Sequence, residues 1–484
     1  MRLSELCLAA GMIPSPMTET VEIAGICADS RRVKPGDLFV ALPGHSVDGA
    51  AYISQAVYAG AVAVLTSYIP PDMPRIPVIK TNFARKVSAE MLKAFYGHPE
   101  RDLMFLAVTG TKGKTTVAYT AFRLLCDSGI PTAFCGTLGA LFDGKRWETG
   151  NTTPDLFFLI PLLATWRQAG CRAVCLEASS QALADDRLVG LPVSAAVLTS
   201  IGRDHIGPKE HRDFAGYLSA KRKLFTDFGT SLVLLPSDVP FGDILTATDA
   251  ERVVCTVLAN GDERPLREPG ARLLCEDVTG AKFMVNGRKY RLPVPGLFSL
   301  SNAFLAVQAV SRMASIPSED LYPLLESIHV PGRLETCTVA GRVAVIDYAH
   351  NAMSLCAVAD LYRPMTRGRL FGVFGSVGGR GWERRRELAR AAEEKLDFSV
   401  ITADDTDGEA LTVVCADIYA SFHDKTKARV VFDRAQAIRY AFRLSAPGDI
   451  LLLLGKGHET ALREGEGLRA FSEHAVLESL VPPF

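Results

Sequence analysis

Seven residues, Gly110-Thr111-Lys112-Gly113-Lys114-Thr115-Thr116, combine glycine, lysine and hydroxyl side chains at a spacing suited to phosphate. They follow the apolar run FLAVT and precede the helical pattern VAYTAFRLLCDSG, so they read as strand, loop and helix. Glycines let backbone N–H groups approach phosphate oxygens, and the helix N-terminus adds its dipole. Lys114 would reach the β- and γ-phosphates of a nucleotide, and the Thr115 hydroxyl would ligate Mg2+. Counted from Gly110, the loop is two residues shorter than the general GxxxxGKT spacing, so the reading rests on its strand–loop–helix context. Such a loop says nucleotide and leaves the use of the phosphate open.

Two further candidates lie downstream. RAVCLEASS places Glu177 at the C-terminal end of a predicted buried strand, the edge where open α/β sheets bind ligands. LTSIGRDH places Asp204 and His205 after another strand of that sheet. Alone, Glu177 could cap a helix and His205 could be a structural hydrogen-bonder; together on one sheet edge they suit Mg2+ around phosphates. Lys221, in YLSAKRKLF, reads by itself as one exposed lysine among several.

The elements that must position these groups follow from the apolar pattern. The first ~95 residues carry short runs, DLFVAL and AVAVLTS among them, and predict a small α/β module; Pro99 and its charged neighbours mark a boundary. FLAVTG, TAFCG, RAVCLEAS and SAAVLTS alternate with helical stretches and predict a parallel sheet. A second series, VAVIDYA, RLFGVFG, DFSVITA, ARVVF and DILLLLG, predicts another doubly wound, Rossmann-like sheet. Residues 253–294 are turn-rich and read as short strands. At 484 residues, 48% hydrophobic and 22% charged, the chain is long enough for several cores. Its formal charge of −1 points to neither nucleic acid nor a membrane surface. The apolar run from Leu156 is about half a membrane span and contains Pro161, and the start lacks a signal-peptide pattern. Eleven scattered cysteines without CxxC predict buried free thiols in a reducing, cytoplasmic setting.

Taken together, the motifs resemble the Mur ligase family, in particular the branch adding the third amino acid to UDP-N-acetylmuramoyl-L-alanyl-D-glutamate. DSRRVKPGDLFVALPGHSVDG (residues 29–49), TGTKGKTT, NTTPD (151–155), EASSQALADDR (177–187), PGLFSLSN, VPGRLE and DYAHN carry the resemblance nearly end to end. It implies an α/β enzyme of three domains: a small UDP-binding domain over 1–98, a central P-loop parallel-sheet ATPase domain over 99–331, and a Rossmann-like amino-acid-binding domain over 332–484. It further implies an ATP-dependent ligase of peptidoglycan precursor synthesis that makes an amide bond through an acyl phosphate, with closure of the last domain excluding water. The partners would be the UDP-N-acetylmuramoyl-dipeptide and a free amino acid, and the protein would be a cytoplasmic monomer. Carried over by position, Thr115 and Glu177 would serve one Mg2+ and His205 a second, and Lys221 would carry a CO2-derived carbamate. Lys114, Glu177, His205 and Lys221 would be catalytic. Gly110, Thr111, Lys112, Gly113, Thr116, Asn302, Arg333, Asp347, Tyr348 and His350 would surround ATP. Ser30, His45, Thr152, Thr153, Ser179 and Arg187 would contact the UDP-substrate. Arg380, Asp404, Asp407, Gly455 and Glu459 would hold the amino acid.

Several positions depart from the family pattern. Gln181 replaces a histidine, IGPKEH replaces LDYHG after Arg203-Asp204-His205, Ser299 stands where asparagine is frequent, and GGRGW replaces GGDRD. Asp404-Asp405-Thr406-Asp407 stands where diaminopimelate-adding members carry DNPR, and an aspartate there would repel a carboxylate and favour an ammonium. Against this, Gly455-Lys456-Gly457-His458-Glu459 keeps the GKGHE of many diaminopimelate enzymes and Arg380 is retained, so the identity of the added amino acid is open, with lysine or a similar diamine ahead of diaminopimelate on charge. Rival readings are a related ligase on another UDP-sugar peptide and a nucleotide-binding scaffold without turnover. A folate-type ligase is disfavoured by the DSR…PGDLFVAL…DG module.

Overall fold

The computed structural model describes residues 1–480 except 45–47, 70, 72–74, 204–205, 208–209, 240–248, 380–381 and 465–466, with Glu464 by its backbone alone. The chain forms two compact units, Met1–Cys255 with Leu305–Leu321, and Thr256–Phe304 with Tyr322–Phe484.

The first unit opens with four parallel strands, β1 (Gly25–Cys27), β2 (Asp37–Ala41), β3 (Ala63–Thr66) and β4 (Val78–Lys80), paired in sequence order. Helices α1 (Leu3–Ala9), α2 (Ile53–Tyr58) and α3 (Ala84–Phe95) accompany them. β2 sends Leu38 and Val40 into one core and Phe39 and Ala41 into another. A strand covered on both faces has no polar side to alternate, which is why DLFVA is unbroken.

Next come β5 (Met104–Thr109), α4 (Lys114–Asp127), β6 (Thr132–Gly136), β7 (Gly139–Phe142), β8 (Lys145–Trp147), α5 (Leu156–Gln168), β9 (Ala173–Glu177), α6 (Ser180–Ala184), β10 (Ala195–Leu198), α7 (Phe214–Thr226) and β11 (Leu232–Pro236). In space the strands run β11-β10-β5-β9-β6-β7-β8, parallel as far as β6, with β7 and β8 antiparallel. The first residues of β12 (Glu251–Leu258) extend the sheet past β11. The chain goes to one flank of β5 for β6 and β9 and to the other for β10 and β11. The carboxyl end of β5 therefore lies where crossovers diverge, the place open α/β sheets reserve for ligands. The apolar run from Leu156 is α5, mostly buried, and no helix among the described residues is long and apolar enough to cross a membrane.

In the second unit the last residues of β12 pair with β13 (Gly270–Asp277), followed by antiparallel β14 (Gly280–Val285) and β15 (Arg288–Leu292). α8 (Leu297–Ala314) begins in this unit, but from Leu305 onward it belongs to the first unit, as does α9 (Ser318–Leu321). The strands β16 (Glu335–Val339), β17 (Arg342–Asp347), β18 (Leu370–Phe374), β19 (Phe398–Ile401), β20 (Ala428–Val430) and β21 (Ile450–Leu454) form a sheet ordered β16-β17-β21-β18-β19-β20. All pairs but β16–β17 are parallel. Its helices are α10 (Ala352–Tyr362), α11 (Trp382–Lys395), α12 (Leu411–Ala420), α13 (Arg434–Leu444) and α14 (Glu473–Glu478). Leu452 and Leu454 enter one core, Leu451 and Leu453 the other.

Each of the five expected apolar runs of this unit contains a strand. The antiparallel edge strand β16 and the hairpin β22 (Ala461–Glu464) and β23 (Gly467–Ala470) were not foreseen, because neither carries an unbroken apolar run. All eleven cysteines are free, as expected, but the expected burial is corrected at five of them: Cys27, Cys126, Cys337 and Cys356 are half-buried, and Cys275 lies exposed near the end of β13.

α14 is tied to β16 by His474 Nε2 and Glu335 Oε2 at 2.8 Å. The Glu335 hydrogen bond raises the His474 pKa above its ordinary 6.5, against the opposing effect of burial. A histidine that binds its proton more tightly folded than unfolded contributes stability fully below its unfolded pKa and loses it as pH rises through the folded one. Urea midpoints of the wild type should therefore fall as pH is raised from about 6.5 upward, and His474→Gln should flatten that slope.

Candidate active site

The loop after β5 is shaped by what flanks it. Gly110 has φ 149°, and a side chain there would collide with the Thr199 hydroxyl and sit 3.0 Å from Ser200 N. Thr111 N donates to Ser200 O (2.9 Å), and Lys112 N to Ser200 Oγ (2.9 Å). The residues just beyond β10 thus clamp the loop from one side.

Two lysines converge on one oxygen of this loop. Lys114 Nζ donates to Gly110 O at 2.9 Å, and Lys221 Nζ, from α7, donates to the same oxygen at 2.8 Å. Lys221 is 1% exposed, which overturns the reading of it as a surface lysine; the apolar positions around it on α7 carry it inward. Its ammonium stands 4.6 Å over the Tyr217 ring, and the Tyr217 hydroxyl is 2.7 Å from Thr111 Oγ1.

On the other flank, β9 delivers Glu177, 1% exposed, beside the loop: Val108 and Glu177 are ladder partners. Thr115 Oγ1 donates to Glu177 Oε2 (3.0 Å), Thr137 N to Oε1 (2.8 Å) and Thr137 Oγ1 to Oε2 (3.2 Å). Gly136 makes room for this carboxylate, since a Cβ there would lie 2.8 Å from Glu177 Cδ and 2.7 Å from Phe134 Cζ. A hydroxyl and a carboxylate side by side are hard oxygen donors that fit Mg2+. His205 lies outside the described residues, as do His45 and Arg380, and among the described residues no group of three or more His, Cys, Asp or Glu gathers around a metal position.

The substrate segments meet next to Glu177. Thr153 Oγ1 donates to Glu177 O (2.7 Å), Ser179 N donates to Thr153 Oγ1 (3.0 Å), and Arg187 Nη1 donates to Thr153 O (3.4 Å). Arg187 also pairs with Asp185 at 2.8 Å, and Thr152 Oγ1 is 3.4 Å from Thr137 Oγ1. Ser30 stands apart from this group and donates to Gln55 Oε1 (3.0 Å) beside α2.

The second unit forms its own cluster at the carboxyl ends of its strands. Asp347 accepts from Leu334 N (3.0 Å) and Ala349 N (2.8 Å), so it ties the chain entering β16 to the chain leaving β17. Arg333 stacks 4.7 Å over the Tyr348 ring, His350 Nδ1 donates to Tyr348 O (2.8 Å), and Tyr348 Oη donates to Glu459 Oε1 (3.3 Å). Asn302 is half-buried on α8. Lys456, 1% exposed, donates to Asp405 Oδ1 (2.8 Å) and pairs with Glu459. Burial works against its charge, but Glu459 and Asp404 outweigh it and hold the pKa above the ordinary lysine value. Buried Asp404 approaches Gly455 so closely that a Cβ there would lie 2.8 Å from Asp404 Oδ2. Asp407 is exposed and faces Gly379.

With this geometry in view, three family descriptions match in order: "Mur ligase family, catalytic domain" over 22–96, "Mur ligase middle domain" over 108–310 and "Mur ligase, glutamate ligase domain" over 332–457. A UDP-N-acetylmuramoyl-L-alanyl-D-glutamate--2,6-diaminopimelate ligase of Rhizobium meliloti is 35% identical, covering 94% of this chain and 93% of its own. This chain belongs to the Mur ligase family. The Coxiella burnetii ligase of the same name is 32% identical over 94% of this chain and 95% of its own. Among solved structures, a ligase of that name superposes with TM-score 0.68 at 22% identity, covering 99% of this chain and 98% of its own. MurF of Thermotoga maritima in complex with ADP gives 0.61 at 18%, covering 90% and 94%. The fold is thus the three-domain α/β fold of Mur ligases, and the protein is an ATP-dependent, amide-forming ligase.

Position in the sequence missed Thr137, Thr199, Ser200, Tyr217, Asp405 and Lys456. Thr199 and Ser200 were reachable, since they follow a strand of the same sheet as Glu177. Asp405 and Lys456 lie inside motifs already singled out, whereas Tyr217 carries no local signal, because its hydroxyl meets Thr111, distant in the chain. Gly136→Ala should push Glu177 off Thr115 and Thr137 and lower ADP-forming turnover by about tenfold or more. An ADP-release assay at saturating substrates reads this, and unchanged turnover would detach the placement of Glu177 from the chemistry.

Proposed function

We propose that this ligase joins a diamino acid to UDP-N-acetylmuramoyl-L-alanyl-D-glutamate in the cytoplasm, as the third residue of a peptidoglycan precursor. The convergence of Lys114, Lys221, Thr115 and Glu177 on the loop after β5 is the observation that carries it. The relatives' printed names supply the acceptor, and the domains are read as 1–98, 99–331 and 332–484.

A carboxylate does not acylate an amine in water because its oxygen is a poor leaving group; phosphorylating it from ATP makes phosphate the leaving group. In this reading Lys114 holds the β- and γ-phosphates and withdraws the charge that builds during transfer. Thr115 and Glu177 would hold one Mg2+, with His205 assigned to a second; bound metal supplies charge neutralisation at the transferring phosphoryl. Thr152, Thr153, Ser179 and Arg187 orient the acceptor peptide, while Ser30 and His45 belong to the uridine end. Asn302, Arg333, Asp347, Tyr348 and His350 are assigned to ATP, and Arg380, Asp404, Asp407, Gly455 and Glu459 to the incoming amino acid.

Charge supports the diamino assignment. Among the described residues, Asp404, Asp405 and Glu459 all lie close to Lys456, and three carboxylates around one lysine suit an added ammonium. Charge also supports a carbamate on Lys221. Two ammonium groups on one carbonyl oxygen repel, and converting one to an anion turns that repulsion into attraction.

Two measurements test the reading. ADP release should require both the UDP-muramoyl-dipeptide and one of meso-diaminopimelate, L-lysine, L-ornithine or diaminobutyrate; ATP binding with no turnover across that panel would leave only a scaffold. Lys221→Ala should lose most activity and regain part of it with added short carboxylic acids. Full activity without them would remove Lys221 from the site.

A further inference from the structure

Arg434, the first residue of α13, and Glu473, the first of α14, are both fully buried and paired at 2.6 Å. The guanidinium donates from Nε (3.1 Å) and Nη2 (2.6 Å) to Glu473 Oε1. It also donates from Nη1 to Ala403 O (3.1 Å) and from Nη2 to Leu454 O (2.7 Å). Those two carbonyls immediately precede Asp404 and Gly455, the first residues of the two loops assigned to the incoming amino acid.

The placement matters because β19 and β21 are not neighbours in the sheet: β18 lies between them. No ladder hydrogen bond can fix the end of one against the end of the other, yet Asp404 and Gly455 stand in near contact. Beside the Lys456–Asp405 bond between the loops themselves, Arg434 reaches the backbone carbonyls at both ends with a rigid planar fork, which a lysine cannot reproduce. Nor is stability a sufficient reason for the pair. Desolvating two charges offsets much of their attraction, and well-packed apolar side chains of similar size often stabilise as much or more.

We propose that Arg434, braced by Glu473, is a positioning residue that sets the separation of the 404–407 and 455–459 loops and so governs binding of the amino acid. This rests on the assignment of those loops to the amino acid given above.

The test uses the full-length enzyme in two forms. Arg434→Met combined with Glu473→Leu removes both charges together and leaves no uncompensated buried ion, so the fold should survive. Arg434→Lys keeps a charge beside Glu473 but loses the fork. Both should raise KM for the amino acid about tenfold or more while KM for ATP and for the UDP-substrate stay within about twofold, because only the amino-acid loops are released. A merely structural role would instead lower Tm and degrade every kinetic constant alike. A folded double variant with wild-type KM for the amino acid overturns the proposal. If the double variant does not fold, an unchanged KM in Arg434→Lys overturns it. Wild-type enzyme lacking any amino-acid-dependent ADP release would overturn the loop assignment itself, a result separable from either variant's behaviour.

Discussion

The carboxyl end of β5 has to hold two lysine nitrogens on one backbone oxygen and keep a buried carboxylate beside them. Neither is comfortable by itself. Like charges repel, and burying a charge costs free energy unless it is hydrogen-bonded. The sheet resolves this by topology. β9 brings Glu177 to one flank of the loop and β10 brings Thr199 and Ser200 to the other, so each charged group has a fixed partner.

The second unit meets a related demand with different means. Its strand ends present several carboxylates and a nearly inaccessible lysine, and its loops are packed so closely that side chains are excluded at particular points. Gly455 must be glycine because Asp404 occupies the space a Cβ would take. Polar groups this crowded keep one arrangement only when their surroundings are rigid. Asp347 bridging Leu334 and Ala349, and Arg434 bridging Ala403 and Leu454, supply that rigidity from below the strand ends.

Much of this could be read in advance. The unbroken apolar runs gave the parallel strands because strands buried on both faces have no polar alternation to hide behind. Glu177 was legible because it ends such a run, at the sheet edge where ligands bind. Lys221 was not: a lysine followed by Arg222 and Lys223 reads as part of a solvated basic run, and only the packing of α7 turns it inward. The edge strand β16 and the hairpin of β22 and β23 were equally silent, since their pairing rather than their composition makes them strands.

What the sequence determined by itself was the order of the buried parallel strands, the phosphate-binding loop and the family, because these depend on residue type and local spacing. Tertiary structure alone decided which distant side chains share an atom: Lys114 with Lys221 on Gly110 O, Thr115 with Thr137 on Glu177, Lys456 with Asp405. Such pairings depend on which strands lie side by side, and strand order follows from the packing of whole layers, which no short stretch of chain encodes.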